Sequence, residues 1–296
     1  MSFSKLLKNE LCKINAPFCC KYAEVYGILL FSKALISTPF VFTTESEDLI
    51  DHLKENCRKF FDINFKISCS GTKKEIYNLK SNDENIKKIY NAFLSTDKFI
   101  IKQHIISDDC CKKAFLRGAF LACGYIDDPN KEYNLEFVLQ DLTLAYEFSE
   151  FLEELGYKPK WSSRKNYAVL YFKDSEKIED ILTIMGAPQK TLELAEIKVY
   201  KDMRNHLNRT TNCMSANIGK TVNASVDQCK AINALINADL FNELSSELQF
   251  AANLRLKFPE ASLLEIIKEN QLSLSKSGLN HRLQKIISIA KAKGLV

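Results

Sequence analysis

The segment Cys19-Cys20-Lys21-Tyr22-Ala23-Glu24-Val25-Tyr26-Gly27-Ile28-Leu29-Leu30 aligns without a gap on Cys110-Cys111-Lys112-Lys113-Ala114-Phe115-Leu116-Arg117-Gly118-Ala119-Phe120-Leu121. Six of the twelve positions are identical, all at an offset of 91 residues. A repeat of this kind sets the architecture before any single motif does. Both segments read as helices, and a glycine inside a helix costs about 1 kcal/mol relative to alanine. Gly27 and Gly118 hold matched places, so the reading is two helices crossing tightly where no Cβ intervenes.

The two copies are continued by elements in the same order. After the first, 40–44 reads as strand, 47–61 as amphipathic helix and 63–67 as an alternating strand. After the second, 135–139 is strand-like, 142–155 is helical up to Gly156, and 167–172 is β-rich. A closing helix is predicted in each, Glu84 to Phe93 and Glu176 to Met185, the latter ended by Gly186 and Pro188. The expectation is an α+β domain over residues 1–200, built from halves at about 19–105 and 110–190 around a pseudo-twofold axis.

Composition agrees with a folded chain: of 296 residues, 46% are apolar and 26% charged, which argues against disorder. The apolar run Tyr26 to Phe31 stops at Lys33, far short of the roughly 20 residues that span a bilayer. The N-terminal apolar residues Phe3, Leu6, Leu7, Leu11 and Ile14 are spaced as on a helix face, so no export signal and no membrane partner are expected. The ten cysteines form no Cys-x-x-Cys or Cys/His pattern and are expected to stay reduced as small buried side chains.

The charge is unevenly spread. Residues 201–296 carry 13 Lys/Arg against 8 Asp/Glu, while 1–200 carry 28 against 29, and no acid follows Glu269. A basic end on a neutral body points toward a polyanion. In this part a linker is expected at 201–212 and a helical domain at 213–296, with helices at 224–238 and 246–258. Pro259 then breaks the pattern, and Ser262 with Glu265 forms a capping-box signature for a helix to about Asn270. A connection, Gln271 to Leu274, leads to Ser275 as cap of the final helix, giving a helix-turn-helix at about 262–293.

Projected at about 100° per residue, that last helix gathers Leu279, Leu283, Ile286, Ile287 and Ala290 on one face. Ser277, Asn280, His281, Gln284, Lys285, Ser288 and Lys291 occupy another, with Lys276 and Arg282 at its flanks. The candidate nucleic-acid-binding residues are therefore Ser275, Lys276, Ser277, Asn280, His281, Arg282, Gln284, Lys285 and Lys291. Periodicity alone leaves an ordinary solvated face as the alternative.

The string Leu116-Arg117-Gly118-Ala119-Phe120-Leu121-Ala122-Cys123-Gly124 resembles a degenerate LAGLIDADG motif, whose paired helices form such an interface in homing endonucleases. Ser275-Lys276-Ser277-Gly278-Leu279-Asn280-His281-Arg282-Leu283-Gln284-Lys285 is similar to the recognition helix of the WhiA family of bacterial regulators. Asn253-Leu254-Arg255-Leu256 and Pro259-Glu260-Ala261-Ser262-Leu263 match the segment before it in that family. The likeness covers nearly the whole chain. It implies a LAGLIDADG-like domain joined to a C-terminal helix-turn-helix, double-stranded DNA as ligand, and transcriptional regulation of sporulation or cell-division genes. It also implies an RNA polymerase sigma factor as partner and a cytoplasmic, nucleoid-associated location.

Nuclease chemistry on this motif needs a carboxylate at its eighth letter in each helix, to hold divalent metal. Those places are Ser32 and Cys123. Asp127 and Asp128 lie just beyond, but Asp-Asp-Pro-Asn is a turn signal, and the first copy has Thr38, Pro39 and Phe40 there instead. Gly219-Lys220-Thr221 imitates a P-loop, yet the required earlier glycine is Met214. His52, His104 and His206 have no nucleophile elbow nearby and read as structural or solvated. No catalytic residue, metal or small-molecule cofactor is expected. The competing readings are a metal-dependent DNA endonuclease using displaced acids and a protein-interaction scaffold.

Overall fold

Ser2 accepts a hydrogen bond from the backbone N–H of Lys5 and so caps α1 (Phe3–Cys12), which buries Phe3, Leu7 and Leu11. The computed structural model describes residues 2–35, 40–71, 75–81, 84, 86–94, 100–271 and 273–296. These divide into two compact units, Met1–Lys201 and Asp202–Val296.

In the first unit, α2 (Phe18–Phe31) is followed by β1 (Phe40–Thr44), α3 (Glu47–Phe61), β2 (Lys66–Ser70), β3 (Ile76–Ser81) and α4 (Ile86–Phe93). The second half repeats this with α5 (Asp109–Cys123), β4 (Gly124–Ile126), β5 (Leu135–Leu139), α6 (Leu142–Glu154), β6 (Lys160–Arg164), β7 (Tyr167–Phe172) and α7 (Ser175–Met185). Both sheets are antiparallel, in the orders β1-β3-β2 and β4-β5-β7-β6. The strand expected at 63–67 begins instead at Lys66, and β3, β4 and β6 are additions to the sequence reading. Thr38 and Pro39 lie outside the described residues.

The two repeat helices meet backbone to backbone. A Cβ on Gly27 would lie 2.6 Å from the Phe115 carbonyl oxygen, and one on Gly118 would lie 2.2 Å from that of Glu24. Around this crossing Glu24 is buried with two partners: Arg117 donates to it from Nε at 2.7 Å, and His52 Nε2 lies 2.6 Å from its other oxygen. Arg117 also donates to the Met185 carbonyl at 3.1 Å, so α2, α5, α3 and the end of α7 share one polar knot inside the apolar core. His52 is thus a structural histidine. Tyr26, also buried, donates to the Ile100 carbonyl at 3.0 Å and accepts from the Lys102 amide at 2.8 Å.

Gly186 caps α7 in the left-handed region (φ 88°). Pro188 opens the next helix rather than ending the previous one, since a first-turn residue needs no amide hydrogen. That helix, α8 (Pro188–Asn237), is 50 residues long and continues into the second unit. Residues 201–212, expected as a linker, are helical throughout. The second unit adds α9 (Ser246–Lys257), α10 (Leu263–Glu269) and α11 (Lys276–Ala292). Its core joins Ala231, Ile232 and Leu235 of α8 to Leu248 and Ala251 of α9, Ile266 of α10, and Leu279, Leu283, Ile286 and Ala290 of α11. No described helix is long and apolar enough to cross a membrane.

Two helical glycines make opposite predictions. Gly118→Ala forces its Cβ into backbone and is expected to destabilise the protein by at least the roughly 1–3 kcal/mol of overpacking, and Gly118→Leu by more. Gly219, in α8, has nothing within 4 Å of an added Cβ, so Gly219→Ala is expected to stabilise its helix by about 1 kcal/mol. Thermal denaturation of the full chain with each substitution checks both signs.

Candidate nucleic-acid interface

The turn between α9 and α10 is held by one buried cation. Arg255 Nη1 donates to the carbonyls of Ala261 at 2.8 Å and Phe258 at 3.2 Å, and reaches the Ser225 hydroxyl of α8 at 3.4 Å. Ser225 in turn donates to the Pro259 carbonyl. Ser262 then starts α10 through a complete capping box: its Oγ accepts from the Glu265 amide, and the Glu265 carboxylate accepts from the Ser262 amide at 2.7 Å. That pairing holds the Glu265 carboxyl below the usual carboxylate range. After the connection, in which Leu272 lies outside the described residues, Ser275 Oγ accepts from the Gly278 amide at 3.1 Å and caps α11.

This scaffolding fixes which face of α11 is free. Leu279, Leu283, Ile286 and Ala290 are buried, and Ile287 is half-buried. Lys276, Ser277, Asn280, His281, Gln284, Lys285, Ser288 and Lys291 lie along the opposite side, and all of them are exposed. Two of the candidate residues are already occupied. Ser275 spends its acceptor on the helix cap, and Arg282 pairs with Glu247 of α9 at 3.0 Å with its side chain 23% exposed. Arg282 therefore fastens α11 to α9, a contact worth about 1 kcal/mol or less at the surface.

Lys276, Ser277 and Asn280 line a cleft of about 440 Å³ together with Lys220, Thr221 and Gln228 of α8, and with Arg255, Ser262 and Leu263. Lys220 and Thr221 are the residues that imitate a P-loop. They sit inside α8, where Thr221 Oγ1 donates to the Asn217 carbonyl at 3.0 Å, so no phosphate-cradling loop exists there. Their place is beside α11. The i, i+4, i+8 spacing of Lys220, Ala224 and Gln228 was the available signal, since it continues onto the face that carries Ile232 into the core.

The motif positions in the first unit are also brought together. Ser32 and Cys123 line one cavity of about 370 Å³ with Phe42, Thr43 and Val138, and no carboxylate is among its described lining residues. Ser32 Oγ donates to the Leu29 carbonyl at 3.0 Å and Cys123 Sγ to that of Ala119 at 3.3 Å, each closing its own helix. Desolvation pushes the Cys123 thiol up to about 12. Close by, Lys8 donates to the Leu121 carbonyl at 3.1 Å, and its burial lowers its pKa. A hydroxyl, a protonated thiol and a neighbouring ammonium do not fit the oxygen-rich anionic cage that magnesium needs. Asp127 and Asp128 are spent on the turn: Asp128 Oδ1 accepts from the Asn130 amide at 3.0 Å, and Asp127 Oδ2 from Asn134 at 2.9 Å.

Arg255 gives a direct test of how the interface is held. Arg255→Met is expected to leave two turn carbonyls unpaired, each costing about 1–3 kcal/mol, and to lower the thermal midpoint of the full chain. A Ser262→Ala change removes the cap of α10 and is expected to cost about 1 kcal/mol, measured the same way.

Residues 112–204 match the model of the WhiA LAGLIDADG-like domain, and residues 207–290 that of the WhiA C-terminal HTH domain. Among relatives, a protein named probable cell division protein WhiA from Desulforudis audaxviator (strain MP104C) is 34% identical over 306 residues, covering 98% of this chain and 97% of the relative. One of the same name from Clostridium botulinum (strain Hall) is 36% identical over 310 residues, covering 98% of each. The fold is that of full-length DUF199/WhiA from Thermatoga maritima, with a TM-score of 0.61, 24% identity and 99% of both chains covered. With a LAGLIDADG-like first unit, a helix-turn-helix in the second and this identity over its whole length, the chain belongs to the WhiA family.

Proposed function

We propose that this chain is a sequence-specific DNA-binding regulator of transcription, acting on genes of the sporulation or cell-division type, in which α11 reads the major groove and the LAGLIDADG-like unit does not cleave. The observation that carries it is the exposed face of α11, polar and basic from Lys276 to Lys291, set behind a capped α10. Helix, turn and polar second helix is the arrangement that delivers side chains to base edges. Membership of a family whose relatives are named as cell division proteins supports the cellular role. Duplex DNA in the nucleoid is then its ligand, with an RNA polymerase sigma factor as the protein partner that the family likeness implies.

The roles divide by chemistry. Asn280 has the amide pair that can bond adenine in two places, and His281 and Gln284 lie on the same polar face. Lys285 and Lys291 offer point charges without planar geometry and suit phosphates. Lys220 and Lys276 line the cleft at the start of α11, where the helix dipole also favours an anion, so a backbone phosphate fits there. Arg282, paired with Glu247, is left to hold the helix.

The test is binding to operator and scrambled duplexes over a range of salt. Lys285→Ala and Lys220→Ala are expected to weaken both duplexes alike and to lower the salt slope by about one unit each. Asn280→Ala is expected to cost about 1–3 kcal/mol on the operator alone and relax preference at one base pair. Equal losses on both duplexes for Asn280→Ala and Lys285→Ala would move the reading function off α11.

On catalysis, no magnesium- or manganese-dependent cleavage of any duplex is expected, because the donor set at Ser32 and Cys123 cannot hold the metal. Nicking by the purified protein that disappears in Asp127→Asn or Asp128→Asn would favour the endonuclease reading instead.

A further inference from the structure

Cys19 and Cys20 lie in the first turn of α2, and Cys110 and Cys111 in the first turn of α5. The same offset of 91 that matches Gly27 with Gly118 matches these pairs, so the helix crossing brings four cysteines from the two halves to one point. Their four sulfurs all lie within 4.8 Å of one another. Within each pair the Sγ atoms are 4.0 Å apart. Cys20 and Cys111 are buried, whereas Cys19 and Cys110 are exposed. The sequence expectation of small buried side chains is corrected for Cys19 and Cys110, which face solvent, and the four are gathered by the repeat rather than by a local motif.

A tetrahedral ion with metal–sulfur bonds of about 2.3 Å sets its sulfurs about 3.8 Å apart. The observed spacing needs only a small contraction to reach that. An iron–sulfur cluster places several atoms between its thiolates and requires a wider cage. Four sulfur donors exclude magnesium and calcium, which take oxygen. The two helix N-termini add positive potential where thiolates form, and Lys21, Lys112 and Lys113 come just after the cysteines in sequence, against Asp108 and Asp109 just before the second pair. The buried pair fixes the site, and the exposed pair leaves a path for the ion.

We propose that Cys19, Cys20, Cys110 and Cys111 form a tetrathiolate site for a single thiophilic divalent ion of the zinc type, clasping the two halves at the start of their interface helices. On binding, four S–H bonds are replaced by four metal–sulfur bonds, and the protons pass to solvent. The ion stabilises the folded first unit, because the unfolded chain does not hold the two pairs together. The site belongs to the first unit, and the proposal does not rest on the DNA-binding reading.

The experiment uses the full chain, purified with a phosphine reductant and reconstituted with zinc alone or cobalt(II) alone. Elemental analysis is expected to give one zinc per chain, and cobalt the intense visible bands of a tetrahedral thiolate site. A strong chelator is expected to lower the thermal midpoint. Changing the exposed pair, Cys19→Ser with Cys110→Ser, is expected to abolish the cobalt bands and bring zinc to background, with circular dichroism confirming a folded chain. Changing the exposed cysteines elsewhere, Cys69→Ser with Cys213→Ser, is expected to leave one zinc per chain. The proposal is overturned if the reduced parent binds no zinc above background. It is equally overturned if the Cys19/Cys110 variant keeps the parent's metal content and cobalt spectrum.

Discussion

The first unit depends on the approach of two helix backbones at Gly27 and Gly118, closer than any side chain allows. Because α2 and α5 touch there, the carboxylate of Glu24 can reach Arg117 from the other half while both are buried. Taking such a pair out of water costs several kcal/mol, which is offset only when the remaining valences are filled. His52 and the Met185 carbonyl each take one of them here, so loss of the crossing would strand a buried charge as well as open a cavity. The same contact decides what sits at each end of the helix pair: four cysteines at one end, Ser32 and Cys123 at the other.

The second unit is organised around a different cation. Arg255 is almost wholly buried, and its hydrogen bonds go to the turn that orients α10. With α10 placed by that turn and α11 by its apolar stripe, the polar face of α11 has one direction in which to point. Sequence periodicity describes such a face but cannot say whether a residue on its flank is free. Arg282 illustrates this: it belongs to the basic face by position and to Glu247 by contact.

Elements with a buried face were legible. The amphipathic pattern made α3 readable over 47–61, where the structure adds Ser46 as its cap, and the capping box of α10 was visible as Ser262 and Glu265. Elements without one were not. Lys160–Arg164 is exposed at every position of β6, so it lacks the alternation that marks a half-buried strand, and Lys66–Ser70 is exposed throughout β2, so the alternation of buried Ile63 and Phe65 before it placed that strand too early. Residues 202–218 of α8 are likewise exposed all round, which left no helical period and gave the impression of a linker. The cysteine cluster was invisible for another reason. Adjacent cysteines do not resemble a zinc motif, and only the pseudo-twofold crossing joins two pairs that lie 91 residues apart.

The central claim is that this WhiA-family chain reads DNA sequence through α11 and does not act on the DNA it binds. Genome-wide mapping of bound DNA tests it most directly, comparing the parent with a chain carrying Asn280→Ala. The account predicts discrete sites that share one recurring motif in the parent, and a weaker motif, degenerate at one base pair, in the substituted chain. Even coverage with no common motif, or an unchanged motif in the Asn280→Ala chain, would contradict it.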